Sequence, residues 1–206
     1  MNALLLPSYF PPVSHFVVMA KADNITLEAD DNFQKQTLRN RMYIYSPNGA
    51  QLLNLPVKHS KFGHQKTRDV KLETAFDWQK QHFKSLEAAY RSSPYFEYFE
   101  DAFAPIFEKK HTFLLDLNLE ALDIVCCCIG MPGDFGKTEE YFHDAPGFHD
   151  YRRLANGKKD TSSFEAYPQV FGDRHGFINN LSILDLLFNQ GRRTLDYLKR
   201  QDVQSI

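Results

Sequence analysis

The chain opens on an apolar run, Ala3 to Leu6, that stops at Pro7 and predicts a short buried strand. Val13 to Ala22 has the length and spacing of a short helix, and Asn24 to Ala29 reads as a second strand. From Arg39 to Ser46 the side chains alternate. That places Arg39, Arg41, Tyr43 and Tyr45 on one face of a strand and Asn40, Met42 and Ile44 on the other. Pro47, Asn48 and Gly49 carry turn chemistry, and Gln51 to Val57 supplies a return strand, so a hairpin is expected there. His59 to Asp69 is polar and without period, as an exposed loop would be.

Helical spacing begins near Thr74, where Trp78, His82, Leu86 and Tyr90 fall on one face with Ala75, Phe83 and Ala89 beside them. Ser93 and Pro94 read as the N-cap and first turn of another helix, with Phe96, Phe99 and Phe103 inward as far as Pro105. A third helix runs from about Leu119 to Ile129 and is stopped by Gly130 and Pro132. Residues 132 to 176 are rich in Gly, Pro, Asp and His with little period, which points to short strands or a functional loop. In the last helix Ser182 and Asp185 have capping-box spacing, and Leu184, Leu187, Phe188, Leu195 and Leu198 form the stripe. The expected fold is α+β, one domain over residues 1 to 206, with a small mixed sheet from the N-terminal third packed against the helices that follow.

Composition changes the picture in three ways. A hydrophobic fraction of 43% with 18 phenylalanines excludes a disordered chain. A formal net charge of −2 gives no global field, so nucleic acid is not an expected partner and any recognition by charge must be local. No apolar run approaches the roughly 18 to 20 residues of a membrane span. The opening stretch has three prolines, no basic segment and no small-residue cleavage site, so a cytoplasmic protein is expected.

The densest chemistry lies between Glu28 and Arg41, where Glu28, Asp30 and Asp31 are followed by Lys35, Arg39 and Arg41. Two arginines sharing a strand face could grip a phosphate or carboxylate with paired hydrogen bonds. The other reading is that these charges solvate a strand edge and pair with the carboxylates before them. Asn40 faces the apolar side, where its amide must be satisfied by backbone or by a ligand. His82, between Trp78 and Leu86, is either a core histidine or a general base. The pairs His143-Asp144 and His149-Asp150 do not have metal-ligand spacing. Cys126, Cys127 and Cys128 are adjacent on a helix, point about 100° apart and cannot converge on one metal, so they read as reduced packing residues. No G-x-S-x-G, H-E-x-x-H, Walker or dinucleotide-binding glycine motif occurs, so no cofactor, metal or covalent nucleophile is expected.

Taken in order, the segments resemble the WbqC-like protein family. They are Pro7-Ser8-Tyr9-Phe10-Pro11; the acidic segment with Phe33, Lys35 and Asn40-Arg41; Leu53 to Val57; Trp78 and His82; Tyr90 with Ser93 to Phe96; Tyr167 and Gln169; and Leu181 to Asn189 closed by Gly191. Where many members carry His-Gln-Pro, this chain has Leu5-Leu6-Pro7. The resemblance implies a cytosolic protein of surface-polysaccharide precursor synthesis, with glycyl or related acyl transfer to an amino sugar carried on a nucleotide. In that scheme Lys35, Arg39 and Arg41 bind phosphate or carboxylate, His82 acts as base toward the sugar amine, and Glu28, Asp30 or Asp31 orients it. Tyr9 and Tyr95 stack on the ligand, and Ser8, Asn40, Gln169 and Asp185 are further ligand positions. The rival implication is a protein that binds a glycan intermediate, or an enzyme of the same pathway, without catalysing a step. Either way, the scheme requires the basic strand and the helix-borne imidazole to converge on one cavity.

Overall fold

The computed structural model describes residues 1–58 and 63–203. β1 (Asn2–Leu5) runs through a proline-rich turn into α1 (Val13–Lys21), and β2 (Asn24–Leu27) returns parallel to β1 with Leu5 opposite Leu27. Both α1 and β1 bury their apolar side chains, Phe16, Val17 and Val18 on the helix and Ala3, Leu4 and Leu5 on the strand. β3 (Arg41–Ser46) and β4 (Gly49–Asn54) form a separate antiparallel hairpin with Tyr43 opposite Leu52. Gly49 closes its turn at φ +94°, a conformation that favours glycine.

Next come α2 (Trp78–Tyr90), α3 (Phe96–Glu108) and α4 (Leu114–Ile129). β5 (Gly136–Lys137) then joins the free edge of β2, and β6 (His149–Asp150) joins the free edge of β1. The resulting sheet has the order β5-β2-β1-β6 with every pair parallel. The short α5 (Gly172–His175), then α6 (Ile183–Gln190) and α7 (Thr194–Arg200), complete the chain. The fold is α+β with parallel and antiparallel pairings, and its core joins residues from β1 through α7. The unperiodic stretch after Pro132 therefore does hold short strands, too short to show an alternation.

Several local expectations are corrected. Arg39 and Arg41 do not share a strand face: Leu38–Asn40 is a 3-10 turn, β3 begins at Arg41, and Arg39 turns inward to Asp31. β4 ends at Asn54, with Leu55 donating its N–H to Asn40 O at 2.9 Å before Pro56, which has no N–H to continue a ladder. Ser93 does not cap α3; Tyr95 holds that position, and the Ser93 hydroxyl is buried without a partner among the described residues. The helix also runs one turn past the start of Pro105, held by buried Ile106 and Phe107. α4 begins five residues earlier than its stripe suggested, because the polar Asn118 sits fully buried in the middle of the apolar face. Ser182 does cap α6, but Asp185 does not complete a capping box. The expected loop from His59 lies partly outside the described residues.

Candidate functional site

In the parallel sheet, β1 connects to β2 on one side while β6, from a distant part of the chain, lies on the other. Such a reversal leaves a crevice beyond the carboxyl ends of the two strands. A cleft of about 460 Å³ opens there, lined among others by Leu6 after β1, Asp31, Arg39, Asp150 at the end of β6, Arg152 and Lys159.

The acidic segment after β2 frames this cleft. Glu28 is 1% exposed. Its Oε1 accepts the Asp30 N–H at 2.9 Å and the Thr138 hydroxyl at 2.6 Å, and its Oε2 accepts from Arg152 Nη1 at 3.2 Å. Arg152 also grips Asp150 at 2.6 Å and donates to the carbonyls of Phe142 (2.8 Å) and His143 (3.1 Å). Its guanidinium lies 5.0 Å from the Tyr141 ring centroid. It thereby ties the 138–148 loop across the strand ends. Asp31 Oδ2 accepts from Arg39 Nε at 2.9 Å and Nη2 at 2.5 Å, while its Oδ1 is buried with no partner among the described residues. Asn118 supports the turn from beneath by donating to Arg39 O at 2.8 Å. Asp30 takes Lys66 Nζ at 2.7 Å and lies 2.8 Å from Arg68 Nη1. The Lys66 hydrogen bond holds the Asp30 carboxyl below the usual carboxylate range. Asp31 thus pairs with Arg39, as the pairing reading of the cluster has it, while Glu28 and Asp30 draw their cations, Arg152, Lys66 and Arg68, from farther along the chain.

A second cleft, of about 500 Å³, opens on the other side of the 31–40 segment and contains Phe33, Lys35, Asn40, Arg41, Asn54, Lys58, Glu73 and Phe76. Asn40 Nδ2 donates to Leu55 O at 3.0 Å and to Asn54 Oδ1 at 3.3 Å; its Oδ1 is buried without a partner among the described residues. Arg41 Nε donates to Asn54 Oδ1 at 3.2 Å.

The expected convergence does not occur. His82 is 5% exposed and lines neither cleft; its Nδ1 is 3.0 Å from the Tyr9 hydroxyl, and its ring packs against Trp78 and Tyr9. Burial pushes the imidazole down to about 4, although a hydrogen bond with the Asn54 main chain works the other way. His82 is therefore a neutral core histidine behind the wall of the second cleft. Ser8 is buried and donates to Leu6 O at 3.2 Å. Tyr95 packs its ring on Gly191, where an added Cβ would fall 2.7 Å from the ring. Asp185 is fully buried and accepts hydrogen bonds from Tyr167 OH (2.6 Å), Gln169 Nε2 (2.8 Å) and Tyr90 OH (2.9 Å). Desolvation raises its carboxyl pKa despite those donors. Ser8, Tyr9, Tyr95, Gln169 and Asp185 line neither cleft.

Sequence reasoning missed Arg152, Lys159, Asn118, Asn54 and Lys58. The arginine run after His149-Asp150 was the one available signal for the first two. Cys126 is buried, but Cys127 is exposed, so the triplet is not uniformly packing. Among the described residues there is no group of three metal-ligating side chains and no helix long and apolar enough to cross a membrane.

The model of the WbqC-like protein family matches residues 7–161, which include both clefts' acidic and basic segments. The chain belongs to the WbqC-like protein family. It is also 30% identical over 227 aligned positions to the Mycobacterium tuberculosis protein named "Uncharacterized protein Rv1507c", with 96% of each chain covered. No solved structure matches it. In this WbqC-like chain the Tyr167, Gln169 and Asp185 cluster lies beyond the matched family segment, whereas Arg39, Asn40, Arg41 and Arg152 lie within it.

Proposed function

We propose that the chain binds a nucleotide-linked amino sugar in the cleft at the strand ends and serves bacterial surface-polysaccharide precursor synthesis, with glycyl or other acyl transfer to the sugar amine as the associated reaction. The observation that carries this reading is the place of the cleft at the reversal of strand order. Four cations line it, Arg39, Arg152, Arg153 and Lys159, against two carboxylates, Asp31 and Asp150. A diphosphate would lie toward Lys159, with Arg152 adding only its charge because its N–H groups are already taken, and the Oδ1 of Asp31, without a partner among the described residues, suits an amine or hydroxyl of the sugar. The family membership supports the biological setting.

The test is thermal stabilisation by a uridine diphosphate-linked amino sugar against the same sugar without its nucleotide, in wild type and Lys159→Ala. Ligand at about 100 times its Kd stabilises the folded state by ~2.7 kcal/mol. The expected result is a clear rise in Tm with the nucleotide sugar that shrinks in Lys159→Ala. No rise at millimolar ligand, or one indifferent to Lys159, removes this function. A second reading, binding without catalysis, is favoured by the burial of His82, which takes the expected base out of the site. Mass spectrometry of the sugar after incubation with acyl donors separates the two, since an acylated product requires catalysis.

A further inference from the structure

We propose that the second cleft is a separate binding site for a small phosphate monoester whose carbon skeleton carries a hydroxyl or amine. The inference does not depend on the reading of the first cleft. Two observations carry it.

The first is the state of the cations. In the first cleft Arg39 and Arg152 are already held by Asp31, Glu28 and Asp150. In the second, Lys35, Arg41 and Lys58 make no ion pair among the described residues, and Glu73 is the one carboxylate in the lining. Arg41 is fixed through its Nε on Asn54, which leaves its two terminal nitrogens for a ligand. Three separate cations suit a dianion with three terminal oxygens better than a carboxylate with two.

The second is Asn40. Its amide nitrogen is committed to Leu55 O and Asn54 Oδ1, both acceptors, which fixes the orientation of the group. The carbonyl oxygen that remains is buried and lacks a donor among the described residues, in a side chain that borders the cleft. Buried polar atoms are rarely left so. A hydroxyl or ammonium group of the ligand would supply the donor while its phosphate meets Arg41, Lys35 and Lys58. Phe33 and Phe76 offer apolar walls to the skeleton, and about 500 Å³ is room for a phosphorylated sugar.

The experiment is isothermal titration with glucosamine 6-phosphate, glucosamine and gluconate, on wild type, Arg41→Ala, Lys58→Ala and Lys159→Ala. Lys58 is exposed, so its variant keeps the fold, and circular dichroism verifies this for each protein. We expect binding of glucosamine 6-phosphate but not glucosamine, with Kd raised about tenfold or more in Arg41→Ala and in Lys58→Ala and unchanged in Lys159→Ala. Equal affinity in the folded Arg41→Ala and Lys58→Ala variants overturns the site, as does a loss confined to Lys159→Ala, which places the ligand in the first cleft. Absence of binding to wild type overturns it too. Gluconate binding as tightly as the phosphate overturns the choice of anion.

Discussion

The two clefts share one wall, the segment from Asp31 to Asn40, yet they use charge in opposite ways. Around the first, buried carboxylates and arginines hold one another: Glu28 with Arg152, and Asp31 with Arg39. Around the second, the cations stand on the rim with no ion-pair partner among the described residues. The first arrangement is built into the fold, because removing one member leaves a charge where water cannot reach it. The second costs the fold little and is available for recognition. Residues as near in sequence as Arg39 and Arg41 can therefore serve different ends, and charge type alone does not separate them.

The largest expected effect comes from breaking a buried pair. Arg152→Ala leaves Glu28 without its cation and should destabilise the protein by about 3–5 kcal/mol in urea denaturation. The matching change on the other side, Arg41→Ala, should stay within ~0.5 kcal/mol of wild type, as surface substitutions do. Similar costs for the two would erase the contrast.

Acidity sharpens it next. His82, behind the second cleft, is pushed by burial down to about 4, so in the folded state it stays neutral while the unfolded chain takes up a proton near its ordinary value of 6.5. The unfolded state then binds more protons, and the stability present above pH 6.5 is lost as pH falls toward 4, by up to roughly 3 kcal/mol for this group. His15, also fully buried and lowered to about 4, adds a similar loss. Asp30, beside the first cleft, has its pKa lowered by the Lys66 hydrogen bond, so its contribution is present above the ordinary carboxylate value and fades as pH falls through its lower folded value. Thermal midpoints of His82→Gln across pH 7 to 4 should fall less steeply than those of wild type. An unchanged slope would mean that His82 does not stay neutral in the folded protein.

A single hydrogen bond tests the wall itself. Tyr9→Phe removes the hydroxyl that meets His82 Nδ1 and should cost about 1 kcal/mol in the same denaturation assay.

Much of the fold was legible because β1, α1, β2 and α2 each carry a local period. What stayed hidden depends on partners far along the chain. Arg39 is the nearer exception: its alternation with Arg41 looks like a strand, but an ion pair with Asp31, among the carboxylates before it, turns it inward. The first turns of α4 were lost because Asn118 interrupts the apolar stripe to serve Arg39 O and Pro7 O, a duty visible only in three dimensions. Arg152 meets Glu28 from 124 positions away, and β5 and β6 are two residues each, so neither leaves a periodic trace. Lys35, Asn40 and Arg41 line one cleft although the alternation put Asn40 and Arg41 on opposite faces, and His82, expected to join the cations, stands behind them in the core.

The buried Asp185 has a mechanical meaning for the hairpin. Its oxygens take Tyr90, Tyr167 and Gln169, and the Tyr90 hydroxyl in turn receives the Tyr45 N–H at 2.9 Å. Any outward swing of β3 must therefore either snap that relay or drag α2 and the 167–169 segment along. The strand bearing Arg41 is thereby tied through Tyr45 to α2, α6 and the 167–169 segment.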